Sequence, residues 1–305
     1  MLGMVTVTYN SGDVLPDFLR ATTGQTFQDF RLFIIDNDSR DVTRELLARV
    51  DDPRIVVTLN DKNLGVAEAN NQGILGALES GCDRILLINN DTDFPADTLE
   101  KLVDMVESHG VKALAPLVYF HDNPLKPWFS GGIFVRWRAF RNTHHLPPMK
   151  AEAGQGSSLR LIEYAPTCCL LLDRCVFTQV GLMDPTYFVY SDDTDFCWRM
   201  LKAKVPLWYT EEAHIYHKAS SLTGGSESAF SLRFMMRNRV LFIRKHTSFL
   251  QKMWSFLYLQ TEIFYKLIFI ARNMKTFRIQ QQAFVEGLQM VLVDDSDLVC
   301  PPRHP

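Results

Sequence analysis

Short apolar runs that end in clusters of oxygen-bearing side chains recur along the amino-terminal part of the chain. Met4 to Thr8 is β-branched and apolar and runs into Tyr9-Asn10-Ser11-Gly12, after which Val14, Leu15, Phe18 and Leu19 recur at helical spacing. That is the pattern of strand, polar loop and helix. Arg31 to Ile35 ends in Asp36-Asn37-Asp38-Ser39 ahead of a helix carrying Leu46, Leu47 and Val50. Ile55 to Leu59 leads to Asn60-Asp61-Lys62-Asn63-Leu64-Gly65 and a helix from Val66 to Leu78. Arg84 to Ile88 is too short for an ordinary helix and stops at Asn89, Asn90, Asp91, Thr92 and Asp93. Strands alternating with helices predict an α/β chain with a parallel, doubly wound half-domain, whose polar loops share one edge of the sheet. Ligands bind at that edge, and carboxylates spaced two apart suit a hard divalent cation carrying phosphates. A strand followed by an ordinary turn would use the same Asp and Asn residues.

Further on, Leu99, Leu102, Val103 and Val106 predict an amphipathic helix over Thr98 to Val106, and Ala113 to Tyr119 another strand. Trp128 to Lys150 combines glycine, tryptophan and the basic residues Arg136, Arg138 and Arg141 with His144-His145. It reads as a mobile insertion beside donor or acceptor, or as a plain solvated loop. Adjacent histidines rarely share one ligand face, so His144-His145 is not read as a metal pair. Tyr187 to Arg199 places Asp192, Asp193 and Asp195 within four positions. Such mutual repulsion is costly unless a site gains from the charge, although a capped helix amino terminus with extra acids has the same look. In Ala213 to Ser221, strand alternation puts Ile215 and His217 on one face and His214 and Tyr216 on the other.

Beyond Phe230 the chain turns to helix rich in aromatic and basic residues. Phe249 to Ile270 is largely apolar, but Glu262 and Lys266 interrupt it, so a spanning helix is not expected. A membrane-interfacial helix with cationic flanks and a buried packing or homodimer helix are the two readings. The division expected is a domain over 1–228 and a helical extension over 229–305, with Asp294 to Pro305 a polar tail.

With 305 residues and 47% hydrophobic content, a sizeable core is within reach. A formal net charge of -3 gives no general pull toward nucleic acid. The six cysteines lack CxxC spacing and keep apolar company, which suits reduced thiols. With no leader-like segment before the first strand, the expected location is the cytoplasm, or the inner face of the cytoplasmic membrane if the last helices touch lipid.

Val7-Thr8-Tyr9-Asn10, Ile35-Asp36-Asn37-Asp38-Ser39, Asn63-Leu64-Gly65-Val66-Ala67 with Asn70-Asn71-Gln72-Gly73, and Leu87-Ile88-Asn89-Asn90-Asp91-Thr92 together resemble, in order and spacing, the amino-terminal half of family 2 inverting glycosyltransferases. The resemblance implies a GT-A fold, a Rossmann-like nucleotide-binding half fused to an acceptor-binding half, here with a helical carboxyl-terminal extension. It implies that Thr8, Tyr9, Asn10, Asp36, Asn63, Gly65 and Asn90 hold the donor nucleotide, with the Tyr9 ring stacking on the base and Gly65 letting backbone approach. Asn89-Asn90-Asp91 resembles the family's DxD motif with Asn at the first place. That leaves Asp91 as the surer ligand of Mg2+ or Mn2+, with Asp93 and His217 beside it. Asp192-Asp193-Thr194-Asp195 followed by Arg199 resembles the family's Glu-Asp-x-Asp stretch and makes Asp193 the general base. Asp192, Asp195, Arg199 and Trp128 are supporting or acceptor-side residues. Lys218, Ser220, Ser221 and Thr223 to Ser226 would close over the diphosphate.

Arg237-Asn238 and Gly287-Leu288 loosely resemble the end of bacterial rhamnosyltransferase-like members. The expected donor is therefore deoxythymidine diphosphate rhamnose, and the acceptor a growing cell-surface polysaccharide or lipid-linked glycan. A uridine diphosphate galactose, galactofuranose or N-acetylhexosamine donor is the alternative, as is a catalytically degenerate nucleotide-binding scaffold subunit.

Overall fold

The structure is a computed structural model that describes residues 1–146, 159–218, 228–270 and 273–300. Its amino-terminal part alternates β1 (Leu2–Thr8), α1 (Leu15–Thr23), β2 (Phe30–Asp36), α2 (Thr43–Ala48), β3 (Ile55–Leu59), α3 (Val66–Glu79) and β4 (Arg84–Ile88). Then follow β5 (Thr92–Asp93), α4 (Thr98–His109), β6 (Ala113–Phe120), β7 (Asn123–Phe129) and a small hairpin of β8 (Phe134–Val135) and β9 (Arg141–Asn142). The rest comprises β10 (Leu159–Ile162), β11 (Cys169–Asp173), α5 (Arg174–Val180), α6 (Asp192–Lys202), β12 (Leu207–His217), α7 (Ala229–His246), α8 (Phe249–Tyr265) and α9 (Met274–Gln289).

One sheet organises the chain in the order β10-β12-β6-β11-β4-β1-β2-β3, with β5 paired to β12 and β7 to β6. β4, β1, β2 and β3 run parallel, so the polar loops that follow them open on the same edge. Strands covered by helices on both faces read as unbroken apolar runs, which is why Met4, Val5, Leu32, Ile34 and Ile85 to Leu87 are buried. β3 lies at the sheet edge and is correspondingly exposed. Helix α3 lies close over β1 because Gly73 has no side chain: a Cβ there would come within 2.4 Å of Val5 Cγ1.

Three expectations need correction. Trp128 is not on a mobile insertion, since it closes β7, an antiparallel neighbour of β6 in the main sheet. The 294–300 segment is not a free polar tail. Leu298 is buried, its carbonyl accepts from Leu182 N at 2.7 Å, and Asp295 reaches Lys245 at 3.0 Å. Nor is the carboxyl-terminal helical region wholly separate, because α7 has two packed faces. Leu241 and Phe242 join the core against the sheet, while Met236, Val240 and Ile243 form a second cluster with Leu259 and Ile263 of α8 and Ala283 and Phe284 of α9. All six cysteines are free, four of them buried. Among the described residues no helix is long and apolar enough to cross a membrane.

Candidate active site

The strand-end loops are stitched into one surface by their own side chains. Thr8 Oγ1 donates to Asp36 Oδ1 at 3.0 Å, and Asn10 N donates to Ser39 Oγ at 2.8 Å. Asn37 Nδ2 donates to Asn63 Oδ1 at 2.9 Å, and Asn90 Nδ2 reaches back to Val7 O at 2.6 Å. Asn10 adopts φ 51°, a left-handed conformation that asparagine tolerates. Each loop satisfies donors or acceptors of another, so shifting one disturbs them all. Within this surface Tyr9 is 44% exposed and offers an open ring face. Asp36 is fully buried, its oxygens taken by Thr8, by Ser39 N and by Arg44 Nε at 2.8 Å. Asn90 is also buried, so both residues hold the loops from beneath.

Gly65 departs from expectation in what approaches it. With φ 86° it admits the backbone of Phe188, whose carbonyl oxygen would lie 2.5 Å from a Cβ at this position. The close approach is thus made by the segment leading into α6. That segment is strained: Phe188 has φ 64° and ψ -59° and centres a γ-turn in which Val189 N donates to Tyr187 O at 2.7 Å. Tyr190 and Ser191 also have positive φ. Such conformations cost about 1–3 kcal/mol each and persist only where neighbours impose them. Asn238 on α7 does so, its Nδ2 donating to the carbonyls of Tyr187, Val189 and Tyr190 at 2.7–2.9 Å, while Arg237 donates to Tyr187 O at 2.7 Å.

Beyond β4, Asp91 Oδ1 lies 3.2 Å from His217 Nε2, and both residues are buried. Asp93 is not brought to this pair. β5 sets Asp93 opposite Tyr216 and Thr92 opposite His217, and residues directly paired across strands share a face. Asp93 therefore projects with Tyr216, away from His217, and its Oδ1 accepts from Phe94 N at 2.9 Å. His214 lies on that other face too, 3.2 Å from the Tyr216 hydroxyl. Among the described residues no three His, Cys, Asp or Glu side chains gather as a metal cluster. The Asp91–His217 pair nonetheless fits a divalent cation. Two ligands at right angles with bonds of about 2.1 Å lie about 3 Å apart, and the remaining positions would fall to diphosphate oxygens and water. His217 Nδ1 is buried without a hydrogen-bond partner among the described residues. Lys218 Nζ bonds Asp17 at 2.8 Å, and the segment from Ser220 to Ser226 lies outside the described residues.

A second acidic centre opens α6. Asp193 Oδ2 accepts from the Tyr164 hydroxyl at 2.7 Å, and its Oδ1 accepts from Thr194 N at 2.6 Å. Burial raises the Asp193 carboxyl above the usual carboxylate range against the lowering effect of the Tyr164 hydrogen bond. Burial and the charge of Asp193 raise Asp192 to about 7. Two neighbouring carboxylates without a counter-charge titrate as a pair. Asp195 differs: burial alone would raise it, but the His246 hydrogen bond and the charges of Arg199 and Lys245 hold it well below the usual range. Its Oδ2 meets Arg199 Nε at 2.7 Å and its Oδ1 meets His246 Nε2 at 2.6 Å.

Rings join the two centres. His217 packs edge-on to Trp128 at 4.6 Å, Trp128 to His144 at 4.8 Å, and His144 to Tyr164 at 5.6 Å, whose hydroxyl reaches Asp193. Burial lowers His144 to about 4, so it is a neutral packing residue. Cys168 lies between the centres. Burial raises its thiol first, and Cys169, Asp91 and Asp193 push it further. Sequence reasoning misses Tyr164 and the anchoring of α6 by Lys245 and His246. No local pattern marks either, and the Arg237-Asn238 pair stands out in the sequence without showing that it holds a turn.

Residues 4–181 match Glycosyl transferase family 2. The Low-salt glycan biosynthesis hexosyltransferase Agl10 of Haloferax volcanii is 22% identical over 79% of this chain and 74% of its own length. The N-acetylglucosaminyl-diphospho-decaprenol L-rhamnosyltransferase of Mycobacterium tuberculosis is 27% identical over 73% of this chain and 78% of its own length. The crystal structure of GalNAc-T7 with UDP, GalNAc and Mn2+ superposes with a TM-score of 0.66 at 12% identity, over 95% of this chain and 56% of that one. The fold is that of GT-A enzymes, and the chain belongs to glycosyl transferase family 2, as a glycosyltransferase of the hexosyltransferase class.

Proposed function

We propose that the chain is a metal-dependent inverting glycosyltransferase that moves rhamnose from deoxythymidine diphosphate rhamnose to a growing cell-surface polysaccharide or lipid-linked glycan. The observation that carries this reading is the pairing of Asp91 with His217 at one end of the ring contacts and of Asp193 with Tyr164 at the other. In this reading the donor nucleotide lies over the strand-end loops with Tyr9 against its base, and Asp91 and His217 hold Mg2+ or Mn2+ at its diphosphate. When bound, such an ion supplies Lewis-acid stabilisation of the departing nucleoside diphosphate. Asp193 takes the proton of the acceptor hydroxyl as its oxygen attacks the anomeric carbon from the side opposite the nucleotide, which inverts that centre. Tyr164 and Thr194 N–H orient the carboxylate, and the γ-turn fixed by Asn238 sets where α6 begins. Asp192 keeps the locality short of positive charge, which favours proton uptake by Asp193. Asp195 and Arg199 support this turn from within, and Trp128 buttresses His217.

The rhamnosyltransferase relative and the loose likeness of Arg237-Asn238 support a rhamnosyl donor. The UDP held by GalNAc-T7 keeps a uridine diphosphate hexose as the second reading. Calorimetric titration with deoxythymidine diphosphate and with uridine diphosphate, each with and without Mn2+, decides between them. Metal-dependent binding of the former that is lost in Asp91→Ala is expected. Metal-dependent binding of uridine diphosphate alone would transfer the assignment to the second reading, and metal-independent binding would remove Asp91 and His217 from the ion.

A further inference from the structure

Helix α8 is amphipathic in the opposite sense to a helix that merely packs on a protein. It buries Ser255, Leu259 and Ile263 against α7 and α9, a narrow stripe. Leu250, Leu257 and Phe264 recur seven apart, so they line the outer face, where they are 78%, 59% and 48% exposed. Met253, Trp254 and Ile268 flank that line and are also more than half exposed. The charged residues of α8 lie elsewhere. Glu262 turns inward and is paired with Arg239 at 3.4 Å and Lys266 at 3.1 Å. The indole N–H of Trp254 donates to Trp137 O at 2.8 Å, which extends the apolar face onto the half-exposed Trp137 ring. A contiguous apolar face of this extent marks an interaction surface.

Charge decides its occupant. Residues 249–278 contain five basic residues (Lys252, Lys266, Arg272, Lys275, Arg278) against the single acid Glu262, within a chain whose formal net charge is -3. A second copy of this chain packed on the same face would bring like-charged rims together. An anionic lipid surface satisfies both the apolar face and its cationic surroundings. We propose that the outer face of α8 lies in the interfacial layer of an anionic bilayer, with the helix axis along the membrane plane. Residues 136–138 touch α8, and Asn142 of the adjoining hairpin donates to Thr194 Oγ1 beside Asp193 at 3.3 Å. A chain docked through α8 would thus have the segment bordering Asp193 next to the lipid. Exposure and charge govern this docking, whichever nucleotide is bound.

The test uses the full chain with vesicles of phosphatidylcholine alone or with about one third phosphatidylglycerol, in co-sedimentation. Binding to the anionic vesicles is expected to exceed binding to the neutral ones by about tenfold at low ionic strength. The triple variant Leu250→Ser, Leu257→Ser, Phe264→Ser is expected to lose about tenfold or more of that partition with an unchanged circular-dichroism melting curve. Lys252→Glu with Lys275→Glu, which leaves the apolar face intact, is expected to weaken anionic binding alone. Failure of the wild-type chain to sediment with anionic vesicles would overturn the proposal. So would a dimer in sedimentation velocity that the triple variant abolishes and that vesicles do not displace.

Discussion

Asp193 and Asp195 stand on the same first turn of α6, within reach of the same helix dipole, and titrate in opposite directions. Asp193 looks toward Tyr164 and the ring contacts that lead to Asp91. Its hydrogen-bond donors are a phenol, a hydroxyl and a backbone N–H, so burial prevails and its carboxyl is raised. Asp195 looks toward α7 and meets Arg199, Lys245 and His246 at 2.7, 3.3 and 2.6 Å. Neighbours outweigh both sequence position and helix dipole in setting the charge of a buried acid. One carboxylate is left basic enough to take a proton, while the other serves as an anchor. The same division runs through the strand-end loops, where Asp36 is enclosed by Thr8, Ser39 and Arg44 while Asp91 faces His217.

The comparison breaks most visibly if the two acids are exchanged in role. Asp193→Asn should lower kcat by about 10³-fold, within the range for a lost general base, and leave nucleotide binding within about twofold. Single-turnover transfer and calorimetry read the two quantities separately. Equal losses in both would mean that Asp193 holds the donor instead. Asp195→Ala should act on the fold, costing about 3–4 kcal/mol in urea unfolding because Arg199 and Lys245 are left buried without their counter-charge. A variant that folds with wild-type stability but no longer transfers sugar would place Asp195 in the chemistry.

Much of this arrangement is legible in the order of residues. β3 and β4 begin and end where the apolar runs do, and the four strand-end loops meet because parallel strands leave them no other edge. The alternation of Ile215 and His217 against His214 and Tyr216 matches their burial. What escapes is non-local. Asp93 has the spacing of a partner for Asp91, but its face is set by pairing with Tyr216, over a hundred positions away. Leu298 reads as part of a tail because nothing nearby in the chain shows that Leu182 and Lys245 receive this segment. Tyr164 lies in an irregular stretch beyond β10, and only the folded sheet brings its hydroxyl to α6.

Tyr164 also gives the finest way to sharpen the contrast. Its hydroxyl is a buried donor that stabilises the ionised form of Asp193 and opposes the upward push of burial. Tyr164→Phe keeps the ring against His144 and removes that donor, so the carboxyl should rise further. Because Asp193 acts as base only when ionised, activity appears as pH rises through its titration. The acid limb of kcat/KM should therefore move to higher pH, by about one unit for a lost hydrogen bond worth about 1.5 kcal/mol, with about tenfold lower activity near neutral pH that recovers at higher pH. A purely structural role would lower the whole profile without moving its limb. Asp195, already neutralised by its cations, should be indifferent to this change, and the urea midpoint should shift far less than in Asp195→Ala. A limb that stays in place in Tyr164→Phe would mean that the raised titration of Asp193 does not govern the rate.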